Sequence, residues 1–343
     1  MQGDAAAPNQ WICFQKVWDV KEKPLLEIAE IAVDSKYWLY INDTLVIRDG
    51  GITRNVNPED TYYDEVDIAP FLKRGENEVK VLINYFGKKG ANHNSSGKAG
   101  LYFNSASLKS DNSWQYAIHP AFYNLSEISN FRYAVESYGY NANENLLNWQ
   151  QAQEVGPPPV APWNQLIKRP IPLFKDYGLT DFVKITTKGD TVVAQLPYDA
   201  QFTVYFKIKG SKNQKLQLIS DTYSLGKLRH HNGIKTEYTC KDGEQEFETF
   251  HWISGHQLLF VKPKDVEIIS LKFRETGYNT RFEGRFETDD KLLNRLWEKC
   301  RRTLYVCTRD YYMDCPDRER TQYGGDMAHM INQSFYAFDT SIN

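Results

Sequence analysis

An alternation of apolar and polar residues over most of the chain limits its fold more strongly than any other feature. Residues 14–20 alternate as a half-buried strand does, and residues 77–85 and 202–208 are similar strand-like runs. Asn42 and Asp43 lie between two short apolar runs and are typical of a hairpin turn. Short strands with frequent turns indicate antiparallel sandwiches. The sequence therefore predicts a mainly β protein with two antiparallel, jelly-roll-like β-sandwich domains.

The pattern changes from strand to helix at Thr288. Thr288, Asp289 and Asp290 are typical of a helix N-terminus. Apolar residues then recur at helical spacing, at positions 292, 293, 296, 297, 300, 304 and 307. A second helix is predicted to begin near Gly325 or Asp326. Two helices cannot bury both of their apolar faces against each other, so we expect them to pack on a sandwich, a partner or further chain.

Proline density marks the boundary between the two sandwiches. Residues 10–140 are predicted to form the first sandwich and residues 176–286 the second. Residues 141–175 form a proline-rich connector, because proline blocks ladder hydrogen bonds and stiffens the chain. Residues 287–343 are then expected to be the beginning of an incomplete helical domain.

Composition excludes several classes of function. The 343 residues include 41 Lys and Arg against 44 Asp and Glu, so no basic surface for nucleic acid is expected. The chain has no apolar run long enough for a membrane span. Its five cysteines do not form a disulfide framework. His230 and His231 lack a second pair of ligands at metal spacing, so a surface turn is favoured there, and we predict neither a metal nor a cofactor.

Residues 313–326 form the candidate functional segment. Carboxyl groups crowd around Pro316 and a pair of glycines directly after the first predicted helix. Crowded carboxyl groups disfavour each other's ionisation, as suits a proton donor or a set of ligands for a hydroxyl-rich substrate. Taken without further information, the same run is also typical of a solvated loop between two helices, with ion pairs of little energetic value.

This segment resembles the first active-site segment of the bacterial alpha-L-rhamnosidases of glycoside hydrolase family 78. The resemblance lies in the pattern Asp-Cys-Pro-x-Arg-Glu at residues 314–319, followed by Gly325-Asp326. Residues 292–297 are similar to the opening helix of that family's catalytic barrel, and residues 62–68 and 96–101 to its N-terminal sandwich. The resemblance implies a six-hairpin (α/α) barrel flanked by sandwiches, of which the chain to Asn343 would contain only the first helices.

The resemblance also implies roles for individual residues. Glu319 would be the general acid, while Asp314, Arg318 and Asp326 would bind the rhamnose hydroxyls. Tyr323, where the family usually has tryptophan, would provide an aromatic wall of the sugar pocket. The implied reaction is inverting hydrolysis of terminal alpha-linked L-rhamnose, with a general base later in the barrel than this chain extends. This chain would then be an incomplete N-terminal part whose own activity is open.

Partners and location follow from the resemblance as well. A rhamnose-containing oligosaccharide or polysaccharide is the expected substrate, and a secreted or periplasmic bacterial protein is expected. The N-terminus lacks the pattern of a signal peptide, so the cytoplasm stays open. Two other functions remain alternatives. One is a non-catalytic carbohydrate-binding protein, in which the first sandwich, with its polar loop 92–98, binds sugar. The other is an assembly module that associates with itself or a partner chain through its C-terminal helices.

Overall fold

The computed structural model describes residues 7–52, 60–125, 135–223 and 233–339. The chain forms two compact units: Met1–Phe122 with Asn145–Ile171, and Tyr123–Glu144 with Pro172–Asn343. His230 and His231 lie outside the described residues. The predicted mainly β fold with helices after the second β region is confirmed, as the order of elements shows.

Twenty strands are present in the described part of the chain. In chain order they are β1 Gln10–Val20, β2 Ile28–Val33, β3 Lys36–Ile41, β4 Thr44–Gly50, β5 Thr61–Asp67, β6 Gly75–Tyr85, β7 Leu101–Asn104, β8 Gln115–Ile118, β9 Phe122–Asn124, β10 Tyr138–Asn141, β11 Gln150–Gln151, β12 Leu166–Lys168, β13 Lys175–Asp181, β14 Lys184–Lys188, β15 Thr191–Gly210, β16 Lys215–Ser220, β17 Thr236–Thr239, β18 Gly243–Glu248, β19 Ile253–Val261 and β20 Glu267–Gly277. The helices are α1 Lys291–Val306 and α2 Gly324–Ala337, and a 3₁₀ turn covers Ala69–Phe71.

The first unit contains two sheets. Six strands follow the order β11-β8-β1-β6-β3-β4, and four follow the order β12-β5-β2-β7. The hairpin predicted at Asn42 and Asp43 joins β3 to β4, and both residues have positive φ, 48° and 61°. Positive φ at both central residues gives the turn whose twist matches that of the flanking strands, which explains why asparagine and aspartate occupy it.

Part of the proline-rich connector belongs to the first unit. Its residues 166–168 form β12, which pairs in parallel with β5. The next residue, Arg169, is buried and its Nη1 lies 3.2 Å from Oδ1 of buried Asp64. Tyr37 Oη and the amide of Gly51 donate to the other oxygen of Asp64, at 2.8 and 2.7 Å. The buried carboxylate of Asp64 is therefore held by a cation that the connector supplies.

The second unit contains one ten-stranded sheet built around the long strand β15. The N-terminal part of β15 pairs with β14 and β19, and its C-terminal part pairs with β18 and β20. The register of β15 against β19 shifts between Gln195 and Ala200, and the pairing with β20 begins at Phe202. Residues from both parts of the sheet form one buried apolar cluster, which includes Phe206, Phe260 and Phe273. Strand β10, which lies within the predicted first sandwich, pairs in parallel with β17 of this unit.

The two helices follow the sheet of the second unit. Asp290 caps α1, because its carboxylate accepts from the amides of Leu292 and Leu293 at 2.7 and 3.4 Å. The end of α1 is buried, but the early leucines are exposed, with Leu292 at 69% and Leu296 at 55%. The predicted apolar face of α1 is therefore largely uncovered among the described residues. None of the described helices has the length and apolarity that a membrane span requires.

Candidate active site

The loop between α1 and α2 carries the candidate site residues. Its ends are joined by two hydrogen bonds between Asp314 and Thr321. The amide of Asp314 donates to the carbonyl of Thr321 at 2.9 Å, and the amide of Thr321 donates to Asp314 Oδ1 at 3.0 Å. Tyr311 Oη donates to the carbonyl of Arg320 at 2.8 Å. We call residues 314–321 the acidic loop; these contacts close it on itself.

Glu319 is buried at the end of the acidic loop. Its side chain is 8% exposed, and Arg318 Nη2 lies 3.0 Å from its Oε1. Its amide contacts Cys315 Sγ at 3.4 Å. Burial of a carboxyl group favours its protonated form, whereas a neighbouring cation favours its ionised form. Glu319 and Arg318 are thus brought together in the acidic loop.

Asp314 lies close enough to Glu319 that the charge of Glu319 affects the ionisation of Asp314. Burial raises the pKa of Asp314, and the charge of Glu319 contributes to the same direction, while the amide of Thr321 opposes it. Cys315 Sγ donates to Asp314 Oδ2 at 3.1 Å. The crowding of carboxyl groups expected from the sequence therefore occurs between Asp314 and Glu319.

Tyr323 and Asp326 lie at the beginning of α2 rather than in the acidic loop. Tyr323 is the residue before the helix and is 38% exposed, and Asp326 is exposed in the first turn. The positive end of the helix dipole favours a carboxylate at that position. Among the described residues, no hydrogen bond or ion pair joins Asp326 to Asp314 or Glu319. Both side chains are exposed to solvent.

A second group of carboxyl groups near the acidic loop was not expected from the sequence. Asp317 of the loop accepts a hydrogen bond from Ser254 of β19. Burial raises the pKa of Asp317, and Asp221 adds to the rise. Burial also raises the pKa of Asp199, and the charge of Asp317 adds to that rise. These aspartates lie far apart in the sequence, and no local pattern could have placed them together.

The raised pKa of Asp317 predicts a pH-dependent stability. A folded pKa above the unfolded value of about 3.9 means that ionisation is disfavoured in the folded chain, so stability is lost as pH rises above about 4. Asp317→Asn should therefore raise the melting temperature at pH 7, and the gain should shrink towards pH 4. Thermal unfolding at several pH values measures this. The exposed control Asp265→Asn should show no such trend, and an equal gain at every pH would refute the explanation.

Metal binding was not expected, and no described group of three or more His, Cys, Asp or Glu residues has the arrangement of a metal site. The acidic loop carries carboxyl groups and the exposed Arg318, and Tyr323, two residues after the loop, adds an aromatic ring. Such groups transfer protons and bind hydroxyl groups.

Comparisons with known proteins agree with the resemblance seen in the sequence. Residues 281–342 match the family model of the bacterial alpha-L-rhamnosidase six-hairpin glycosidase domain. No curated protein matches the chain.

Solved structures of similar fold include three rhamnosidases. A family 78 rhamnosidase of Bacillus sp. GL1 has a TM-score of 0.83 at 14% identity, and the match covers 99% of this chain and 61% of that one. For the alpha-L-rhamnosidase from Dictyoglomus thermophilum the TM-score is 0.76 at 16% identity, with 96% and 39% covered. For the alpha-L-rhamnosidase of Streptomyces avermitilis complexed with L-rhamnose, the TM-score is 0.76 at 16% identity, and the match covers 97% of this chain and 35% of that one.

The chain spans about 61% of the length of the Bacillus enzyme and a smaller share of the other two. At these identities the structural matches concern the fold, and the family model adds a sequence match in the segment that carries Asp314, Glu319 and Asp326. The resemblance indicated by the sequence is thus confirmed: the chain is similar to the bacterial alpha-L-rhamnosidases of glycoside hydrolase family 78, in fold over nearly all of its length and in sequence over residues 281–342.

Proposed function

We propose that this chain is part of an alpha-L-rhamnosidase that hydrolyses terminal alpha-linked L-rhamnose from glycans with inversion. The observation that carries the proposal is the position of Glu319. It is a buried carboxyl group, paired with Arg318 and close to Asp314, within the segment that matches the rhamnosidase glycosidase domain. A glycosidase needs a carboxyl group of this kind to protonate the departing oxygen.

Glu319 is assigned the role of general acid. In an inverting reaction its proton passes to the glycosidic oxygen as the bond to the anomeric carbon breaks, and a water attacks from the opposite face. The second carboxylate, which activates that water, would lie about 6.5–9.5 Å from the acid. Arg318 Nη2, 3.0 Å from Glu319 Oε1, stabilises the carboxylate that remains after proton transfer.

Asp314, Arg318, Tyr323 and Asp326 are assigned to substrate binding. Carboxylates accept hydrogen bonds from sugar hydroxyls, and an arginine donates to them. Tyr323 and Asp326 are exposed at the beginning of α2, where they are available to a sugar. The tyrosine ring provides an apolar wall for the pyranose face and a hydroxyl that tryptophan lacks.

Release of nitrophenol from aryl glycosides tests the proposal. The complete protein of which this chain is proposed to be part should hydrolyse 4-nitrophenyl alpha-L-rhamnoside and leave 4-nitrophenyl beta-D-glucoside intact, because the polar ligands and Tyr323 are expected to fit rhamnose. Hydrolysis of both glycosides at similar rates would argue against a rhamnose-specific site. Hydrolysis of neither would argue against the enzymatic proposal for this chain.

Carbohydrate binding without turnover is the second candidate function, and a cleft in the first unit favours it. The cleft has a volume of about 120 Å³ and is lined in part by Tyr102, Trp114 and Trp163. Lys98 of the polar loop and Gln153 of the connector add polar groups to its lining. Aromatic rings with a few polar groups suit the apolar face of a sugar. Saturable quenching of tryptophan fluorescence by methyl alpha-L-rhamnoside, with no hydrolysis, would favour this function.

A further inference from the structure

The residue after Glu319 is held in an uncommon backbone conformation. Arg320 has a φ of 49°, in the left-handed region that residues other than glycine seldom adopt. Its Nε donates to the carbonyl of Pro316 at 2.8 Å, and its own carbonyl accepts from Tyr311. Arg320 is 8% exposed. Such a conformation persists only where surrounding contacts hold it, and here they act on the residue that follows Glu319.

A further contact of Arg320 comes from the sheet of the second unit. The guanidinium carbon of Arg320 lies 3.5 Å from the ring centroid of Trp252, directly before β19. A second buried guanidinium, that of Arg309, lies 5.0 Å from the same ring. Arg309 is itself fixed, because its Nη1 donates to Gln201 Oε1 at 2.6 Å. Trp252 thus contacts two cations, one held by the sheet and one belonging to the acidic loop.

The acidic loop has another attachment to the same strand. Ser254 Oγ lies 3.0 Å from the carbonyl of Pro316 and also contacts the carboxylate of Asp317. Its single proton can be donated to either acceptor. Ser254 of β19 and Trp252, directly before that strand, therefore fix both the beginning and the end of the segment 316–320.

We propose that Trp252 and Arg320 are positioning residues for Glu319, and that the sheet of the second unit thereby sets where the general acid stands. The proposal deepens the proposed function and rests on it. Neither residue exchanges a proton with substrate. The ring of Trp252 holds the guanidinium of Arg320, and the arginine backbone holds the glutamate beside it. Without the ring, the buried guanidinium loses the face on which it rests, and the loop relaxes away from its position.

The test compares two leaving groups in Trp252→Leu and Trp252→Phe. A methyl rhamnoside needs its departing oxygen protonated, whereas nitrophenolate departs with little help from an acid. Misplacement of Glu319 should therefore lower kcat for methyl alpha-L-rhamnoside about tenfold more than for the nitrophenyl glycoside, since acid catalysis is sensitive to small displacements. The phenylalanine variant keeps a ring and should restore most of the difference. Trp149→Leu, in the first unit and outside the cleft described above, is the control and should leave the ratio of the two rates unchanged.

Amide hydrogen exchange provides a second readout that does not need turnover. Peptides covering residues 316–321 should exchange about tenfold faster in Trp252→Leu than in the parent chain, whereas those of α1 should be unchanged. Equal losses on both glycosides, or unchanged exchange in the loop, would overturn the proposal. If the parent chain hydrolyses neither glycoside, the proposed function fails, and the exchange comparison alone decides whether Trp252 holds the loop.

Discussion

Replacement of Glu319 by glutamine should lower the rate of rhamnoside hydrolysis by about 10²–10⁴-fold, the usual contribution of a general acid. Glutamine has nearly the same shape and still accepts the hydrogen bond from Arg318, but it has no proton to give. The loss should appear in kcat rather than in KM, because the proton moves only as the bond breaks. Steady-state kinetics with methyl alpha-L-rhamnoside would show the full effect, since its leaving group depends most on protonation.

The matched control is Glu298→Gln. Glu298 lies exposed on α1 and pairs with Arg301, so it shares the charge of Glu319 without its burial or its position in the acidic loop. That variant should keep the parental rate. If Glu319→Gln retained more than about half of the parental kcat, a catalytic role for Glu319 would be excluded, because even weak acid catalysis contributes more than this.

The largest effect on stability is expected at Arg169. Arg169→Met removes the cation from a buried ion pair and leaves the carboxylate of Asp64, which is 2% exposed, without its charge partner. Loss of one partner from such a pair costs about 3–5 kcal/mol. Tyr37 and Gly51 still donate to Asp64, but two hydrogen bonds do not replace a full charge. Urea unfolding followed by tryptophan fluorescence measures the free energy of unfolding.

The preceding residue provides the control for this prediction. Lys168 also pairs with a carboxylate, that of Glu65, but its side chain is 61% exposed. Lys168→Met should therefore change stability by only about 0–1 kcal/mol. The double variant Asp64→Asn with Arg169→Met should recover part of the loss, because it removes the unpaired charge. Similar effects of the two single variants would contradict the argument from burial.

Local patterns in the sequence predicted local structure well. Alternation predicted β1 and β6, and Asn42 and Asp43 predicted the turn between β3 and β4. The aspartates after Thr288 predicted where α1 begins, although the side chain that accepts from the helix amides is that of Asp290. Each of these features depends on residues that are close together in the chain, where backbone preferences and caps decide the outcome.

Contacts between distant residues could not be predicted from the sequence. Strand β10 pairs with β17, about a hundred residues later, because both can complete the same sheet. Arg169 stands in a proline-rich segment that reads as a connector, yet it holds the carboxylate of Asp64. The site shows the same limit: the position of Glu319 in the sequence was informative, but its contact network through Arg320 and Trp252 was not. One residue of that network comes from another part of the fold.

The most direct test of the central proposal is proton NMR of rhamnoside hydrolysis in real time. With 4-nitrophenyl alpha-L-rhamnoside and the complete protein of which this chain is proposed to be part, signals of free beta-L-rhamnose should appear first, and the alpha anomer should follow only by mutarotation. This result would establish the sugar, the turnover and the inversion of configuration together. Release of the alpha anomer first would contradict the inverting mechanism. A spectrum without free rhamnose, from the folded complete protein, would contradict the assignment of this chain to a rhamnosidase.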